Sequence, residues 1–363
     1  MLEKVRIMKR KLGIVGFRGM VGSTLMDRMK HERDFDFFDI TLFSKSKAGS
    51  GVSYFEKDFI AVDSDNIEAY LSLDIVITCQ GSAFTEEVLP KLRSLKWDGY
   101  WIDAASSLRY EKDSVICLDP INMESIENGI KSGVKNYIGG NCTVSLLLLA
   151  LKGLYENDLI EWVSSMTYQA VSGAGAKAIE ELYSQYGDCD KIEGLNTLDK
   201  EKGISEMISE KDFPLAYNIL PWIDSDLGGV SREEWKAREE ASKIRGQETH
   251  IDGTCVRVSS LRCHSQALTI KLKKNIEVDE IEKLIKNSSE WIKFIPNDKE
   301  NTLKYLTPHN FSNTLDIGVG RVRKMNFDPT ILNFYTIGDQ LLWGAAEPLR
   351  RTLRKINSTL DDL

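Results

Sequence analysis

The chain has 363 residues, long enough for two domains at roughly 150 residues each. Apolar residues make up 42% of it, which supports a sizeable core and excludes a disordered chain. The formal net charge of −8 excludes a nucleic-acid grip built on overall charge, but leaves room for a local basic pocket for a small anion.

The cysteines Cys79, Cys117, Cys142, Cys189, Cys255 and Cys263 contain no CxxC pair, so the spacing offers no zinc ribbon or redox motif, and no metal site is expected. A chain this long needs no disulfide staples, and free thiols in a reducing cytosol are the natural expectation. The opening "MLEKVRIMKRKLGIVG" lacks a signal-type apolar core, and Met8, just before the first strand-like stretch, is a second candidate start. The leucine run from Leu146 to Leu151 is far short of the ~20 residues of a membrane span. A soluble cytoplasmic protein with no membrane or nucleic-acid partner is expected.

In chain order, the first feature is "KLGIVGFRGMVG", Lys11 to Gly22. A short β-rich stretch, Leu12 to Val15, runs into Gly16, Gly19 and Gly22, and "STLMDRMKHE" continues as a helix. In this context Gly16 and Gly19 let a backbone approach a pyrophosphate, which rests on the helix N-terminus with Met20 and Val21 beside it. The spacing is GxxGxxG rather than GxGxxG, and by itself it is equally an ordinary strand–helix turn. "DITLFS" (39–44), "LDIVITCQG" (73–81), "GYWIDAAS" (99–106) and "VICLD" (115–119) are further buried strands, with helical stretches such as "TEEVLPKLRSL" between some of them. That alternation predicts an α/β unit, a Rossmann-type doubly wound parallel sheet. Gln80 ends the strand after Cys79, close to the expected nucleotide. The second strand ends in Ser44, Lys45, Ser46 and Lys47 with no acid to take a ribose 2′-hydroxyl, and Arg18 lies in the glycine loop. Hydroxyls and cations suit a 2′-phosphate, so NADP is favoured over NAD; a solvated loop is the alternative for the lysines.

Next comes "GGNCTVSLLLLALKGL". Asn141 is a good N-cap residue and Cys142 falls at the first helical position, where the dipole and free N–H groups favour a thiolate. Of the four histidines, His264 stands out. It belongs to "CVRVSSLRCHSQALTIKLKK", read as a strand pair, with Arg257 and Arg262 nearby. These residues alone leave open whether His264 is a base for the thiol or a structural histidine. "SREEWK", taken alone, is a helix start with Ser231 as cap and an acidic first turn. The span Asp188 to Asp212 is highly charged and weakly periodic, a surface or subunit-interface excursion.

Taken together, "GFRGMVGS", "WIDAASSLR", "GGNCTVSL", "TYQAVSGAG", "SREEWK", "VRVSSLRCHSQALTIKLK" and "GDQLLWGAAEPLRR" resemble the aspartate-β-semialdehyde dehydrogenase family, in its Gram-negative bacterial form, over nearly the whole chain. The resemblance implies reversible, NADP-dependent interconversion of 4-phospho-L-aspartate and L-aspartate 4-semialdehyde, serving lysine, diaminopimelate, threonine and methionine synthesis. It implies Cys142 as nucleophile, His264 as acid/base and Gln169 as the residue orienting the acyl intermediate. It implies Arg257 for the substrate carboxylate and Glu233 for its ammonium. Arg109, Lys236 and Asn141 are implied for phosphate, and Gln340 near the nicotinamide. It further implies a homodimer and two domains: 1–141 with 347–363 for NADP, and an α+β catalytic and dimerisation domain at 142–346. Ala174 departs from the pattern, where relatives commonly carry glycine. "GGNCTVS" fits the cysteine blocks of N-acetyl-glutamyl-phosphate reductase and glyceraldehyde-3-phosphate dehydrogenase poorly. A cysteine hydrolase would need no dinucleotide site, and a non-catalytic sensor no Cys, Gln, His and Arg set.

Overall fold

Apolar runs of four to six residues, several of them followed by a helix, build the first of two compact units. The computed structural model describes residues 9–54, 57–193 and 197–361; Met8 lies outside them. Unit 1 comprises residues 1–141 and 344–363, and unit 2 comprises 142–343, so the second boundary falls at Gly344 rather than at 347.

In unit 1, β1 (Arg10–Val15), β2 (Phe38–Phe43), β5 (Ile75–Thr78), β6 (Tyr100–Asp103), β7 (Ser114–Cys117) and β8 (Asn136–Gly139) form a six-stranded sheet in the order β2-β1-β5-β6-β8-β7. Every pairing in it is parallel. A small antiparallel hairpin, β3 (Gly51–Tyr54) and β4 (Lys57–Ile60), stands apart from it. Helices α1 (Met20–His31), α2 (Ser82–Ser94), α3 (Asp119–Lys131) and the C-terminal helix Glu347–Asp361 cover the sheet. One face buries Leu12, Ile14, Met26, Ile102 and Tyr137 with Leu349, Leu353 and Ile356 of the C-terminal helix. Val76, Leu89, Trp97 and Trp101 fill the other. The C-terminal helix is also locked by charge. Glu347 is fully buried and accepts bonds from Arg28 Nε (2.8 Å) and Arg350 Nη2 (2.7 Å), while Arg350 Nη1 reaches Asp34 (3.1 Å).

In unit 2, β9 (Ile160–Ala170), β10 (Ile219–Leu220), β11 (Ile251–Val258), β12 (His264–Leu272), β13 (Ile292–Phe294), β14 (Ile317–Lys324) and β15 (Ile331–Gly338) form a mixed sheet in the order β10-β11-β9-β12-β15-β14-β13. β11 and β12 do form, but they do not pair with each other: β9 lies between them, parallel to β11 and antiparallel to β12. Alternation along β9 puts Ser165, Thr167 and Gln169 inside and Met166 and Tyr168 outside. Helix α4 (Cys142–Glu156) is apolar nearly all round and buried from Thr143 to Leu151, as a core helix must be. It approaches β15 so closely that a Cβ on Gly338 would lie 2.4 Å from Leu146 Cδ1's twin, Cδ2. The remaining helices are α5 (Ala176–Cys189), α6 (Thr197–Ser209), α7 (Arg232–Arg245), α8 (Val278–Lys286), α9 (Lys299–Tyr305) and α10 (Pro308–Phe311). Within the charged 188–212 span α6 is helical, and its Ile208 packs with Val171, Leu182 and Leu215 in a small core of its own. Ser231 caps α7 in a capping box with Glu234, as "SREEWK" predicted.

Candidate active site

In unit 1 the glycine loop takes the shape a pyrophosphate needs. Gly16 has φ +75°, and a Cβ there would lie 2.9 Å from the Cys79 carbonyl carbon and 3.0 Å from Gln80 Oε1. A Cβ on Gly22 would lie 2.0 Å from Gly16 O, so this glycine lets α1 pack tightly on its own turn. Gly19 occupies the N-cap of α1 with no side-chain cap, which leaves amide donors for an anion. Arg18 Nη1 donates to Ser46 Oγ at 3.0 Å, joining the glycine loop to the end of β2. Lys45 instead turns to Asp65 at 2.6 Å and is fully exposed, so the solvated-loop alternative holds for this lysine. The donor set fits a dinucleotide carrying a 2′-phosphate.

Arg109 is also in unit 1. Its Nε donates to Gly139 O (2.8 Å) and its Nη2 to Gly140 O (3.2 Å), at the end of β8 just before Asn141. The turn leading to it is fixed by Asp103, which the sequence did not single out. Its carboxylate accepts from Thr85 Oγ1 (2.6 Å), Ala105 N (2.7 Å) and Trp101 Nε1 (3.2 Å). Burial outweighs these bonds and raises its pKa to about 6.

In unit 2 the expected residues gather around the end of β9. Register sets Arg257 opposite Gln169 and Val258 opposite Ala170 on one side, and Ser265 opposite Tyr168 on the other. Arg257 Nη1 donates to Ala170 O (2.7 Å), and the Ala170 N–H donates to His264 Nδ1 (3.0 Å). Both side chains are buried, and burial lowers the pKa of each, with Arg257 adding to the effect on His264, whose pKa falls to about 3. The ring is therefore neutral with its proton on Nε2, and Nε2 is buried with no partner among the described residues. Gly173 keeps the space above it open: a Cβ there would lie 2.9 Å from Arg257 Nη1 and 3.1 Å from His264 Nε2.

Cys142 is the first residue of α4 and is partly exposed. Gln266, two residues along β12 from His264, donates to Thr143 O (2.9 Å) and accepts from Ser165 Oγ (3.1 Å), tying the histidine strand to the cysteine helix. Burial pushes Cys117, Cys255 and Cys263 up to about 12 and raises Cys79 and Cys189 as well, so those thiols are poor nucleophiles. Gln169 Nε2 donates to Glu233 Oε1 (3.3 Å), and Lys236 Nζ donates to Glu233 Oε2 (3.1 Å) and to Asp224 Oδ2 (2.6 Å).

Gln340 is also in unit 2. Its Oε1 accepts from Cys263 N (2.8 Å) and its Nε2 donates to Ser172 Oγ. Its neighbour Asp339 accepts from Arg262 Nε and Asn313 N, both at 2.7 Å. This pair holds the turn before His264, where Cys263 sits at φ +72°, a left-handed conformation that costs a non-glycine residue energy. Asp224, Gly173, Asp339 and Asp103 are the site residues that the sequence reading missed; only the glycine in "VSGAG" gave any local signal. Among the described residues no cluster of His, Cys, Asp or Glu could hold a metal, and no helix is long and apolar enough to cross a membrane.

A parallel sheet of the nucleotide-binding type joined to a mixed-sheet unit is the architecture of the semialdehyde dehydrogenases. Residues 11–129 match the family model for the semialdehyde dehydrogenase NAD binding domain, and residues 151–343 that for the semialdehyde dehydrogenase dimerisation domain. The chain is 47% identical to aspartate semialdehyde dehydrogenase from Francisella tularensis, over 96% of this chain and 99% of that one, with a TM-score of 0.92. This chain belongs to the aspartate semialdehyde dehydrogenase family, a family of oxidoreductases. The fold recurs in aspartate semialdehyde dehydrogenase II from Vibrio cholerae (23% identity, TM-score 0.81, 96% of this chain and 98% of that one). It recurs again in aspartate semialdehyde dehydrogenase with NADP from Candida albicans (17% identity, TM-score 0.65, 97% and 100%).

Proposed function

We propose that this chain reversibly converts 4-phospho-L-aspartate to L-aspartate 4-semialdehyde, in a cytoplasmic route toward lysine, diaminopimelate, threonine and methionine. The observation that carries this is a neutral His264 with an unclaimed Nε2–H beside a buried Arg257, on a strand tied to the helix that begins at Cys142. The Cys142 thiolate attacks the acyl carbon of the phosphorylated substrate. A C–S bond forms, the bond to phosphate breaks as the departing phosphate takes up one proton from solvent, and a thioester remains on the chain. When bound, NADPH would supply the hydride that reduces the thioester carbon. Through Nε2–H, His264 donates a hydrogen bond to the oxyanion formed at each stage. Collapse of the second oxyanion breaks the C–S bond, releasing the aldehyde and restoring the thiolate.

Gln169 orients the acyl group. Arg257 holds the α-carboxylate with a guanidinium that cannot lose its proton, and Glu233 receives the α-ammonium. Arg109, Asn141 and Lys236 receive the phosphate. The nucleotide rests on Gly16, Arg18, Gly19, Met20, Val21, Ser44, Ser46 and Gln80, with Arg18 and Ser46 on the 2′-phosphate. Gln340 keeps one N–H and one lone pair free of its two internal bonds, enough to face the nicotinamide.

A homodimer formed through unit 2 is part of the proposal. The outer face of its sheet exposes Trp162, Met166 and Tyr168, an apolar stripe that a second copy would cover. Sedimentation velocity tests it: Tyr168→Asp is expected to shift the protein toward monomer.

The deciding assay is phosphate-dependent reduction of NADP with aspartate semialdehyde, run beside N-acetylglutamate semialdehyde. Turnover of aspartate semialdehyde alone is expected, falling at least about 10³-fold in Cys142→Ala. Turnover of the acetylated substrate alone, or normal turnover by the variant, overturns the proposal.

A further inference from the structure

Lys236 is already answered by carboxylates from two directions. Glu233 lies one helical turn away on α7 at 3.1 Å, and Asp224 reaches in from the loop that precedes the helix, at 2.6 Å. The two acids are not equivalent. Glu233 is buried and shared with Gln169, so it belongs to the wall of the site. Asp224 is about one-third exposed and sits on a loop held mostly to itself: Trp222 Nε1 donates to Asp224 O (2.9 Å), Ser225 N to Asp224 Oδ1 (2.7 Å), and Gly229 N to Asp226 Oδ1 (2.7 Å). Asp224 has φ +73°, so the residue that reaches Lys236 does so from a left-handed backbone conformation that costs a non-glycine residue energy. An ammonium holding a carboxylate at this distance has its best anion position taken.

We infer that Asp224 occupies the phosphate position on Lys236 and sets the enzyme's affinity for phosphate by competing with it. The inference rests on Lys236 being a phosphate cation, as proposed above. An incoming phosphate displaces the Asp224 carboxylate into solvent, where its partial exposure keeps the desolvation change small, and replaces one charge-assisted bond with another. A doubly charged anion wins this exchange and a weakly bound monoanion does not. Asp224 therefore acts as a selectivity residue.

The test is steady-state kinetics in the phosphorylating direction on Asp224→Asn, Lys236→Met and the double variant, with sulfate as a non-reacting competitor of phosphate. For Asp224→Asn we expect the phosphate KM and the sulfate inhibition constant each to fall about two- to fivefold, with the semialdehyde KM unmoved. For Lys236→Met the phosphate KM rises, and adding Asp224→Asn in that background changes nothing further. A phosphate KM that is unchanged or raised in Asp224→Asn, while Lys236→Met still raises it, overturns the competition alone. A phosphate KM unmoved by Lys236→Met overturns the assignment of Lys236 and the competition with it.

Discussion

His264 Nδ1 accepts the Ala170 backbone N–H at 3.0 Å, which fixes the imidazole tautomer from outside the ring. With its pKa pushed down to about 3, this histidine enters the reaction neutral, as a hydrogen-bond donor. His264→Gln is expected to lower kcat by at most roughly 10²–10³-fold, the cost of misplacing one oxyanion donor. The unfolded chain takes up this proton near the ordinary value of 6.5, well before the folded chain does, so stability is lost as pH falls from 6.5 toward 3. Denaturant midpoints at about pH 8 and about pH 5 should therefore differ less in the glutamine variant than in the native protein.

Gly173→Ala tests the space over that ring. The added methyl meets a guanidinium and an imidazole that are both buried, so one of them must move. A shift approaching an ångström there costs about 100-fold in kcat/KM. Circular dichroism melts should show the fold intact while activity is lost.

The nucleotide loop makes a graded prediction. Arg18→Ala removes the guanidinium that meets Ser46 and should cut the ratio of kcat/KM for NADP to that for NAD about tenfold. Lys45→Ala removes a fully exposed side chain paired with Asp65, and the ratio should hold within about twofold.

Glu347 is the keystone of unit 1. Glu347→Gln leaves Arg28 and Arg350 facing a neutral amide in a buried position, and about 3–5 kcal/mol of stability should be lost. Although burial opposes it, the two arginines hold the Glu347 carboxyl below its usual range. Its contribution is therefore present above the ordinary carboxyl value and lost as pH falls through the lowered one, so acid unfolding of the native protein should be steeper than that of the variant. Urea titrations across the acid range measure both.

Local chemistry made part of this site readable. The Gly16–Gly19 loop, Cys142 at a helix start and the Ser231 cap follow from residues within a turn of one another, and each stands where its neighbours require. What could not be read is what other strands impose. "VRVSSLRCHSQ" looks like a hairpin because its two β-rich halves are close in sequence, yet β9, about ninety residues earlier, separates them. That insertion puts Gln169 and Ala170 between Arg257 and His264. The resemblance pointed to Lys236 for phosphate but not to the carboxylate against it, because Asp224, lying in an irregular loop, offers no periodic signal. The unclaimed Nε2 of His264 exists only once the ring is buried.

The C-terminal helix also sets an order of events. Leu349, Leu353 and Ile356 complete the core of unit 1, but they follow all of unit 2 along the chain. During synthesis, unit 2 has its whole sequence outside the ribosome before unit 1 does. The nucleotide sheet must wait with one face covered only in part, by α1 and α3, until the C-terminal helix emerges, so the unit that begins first is the unit that finishes last.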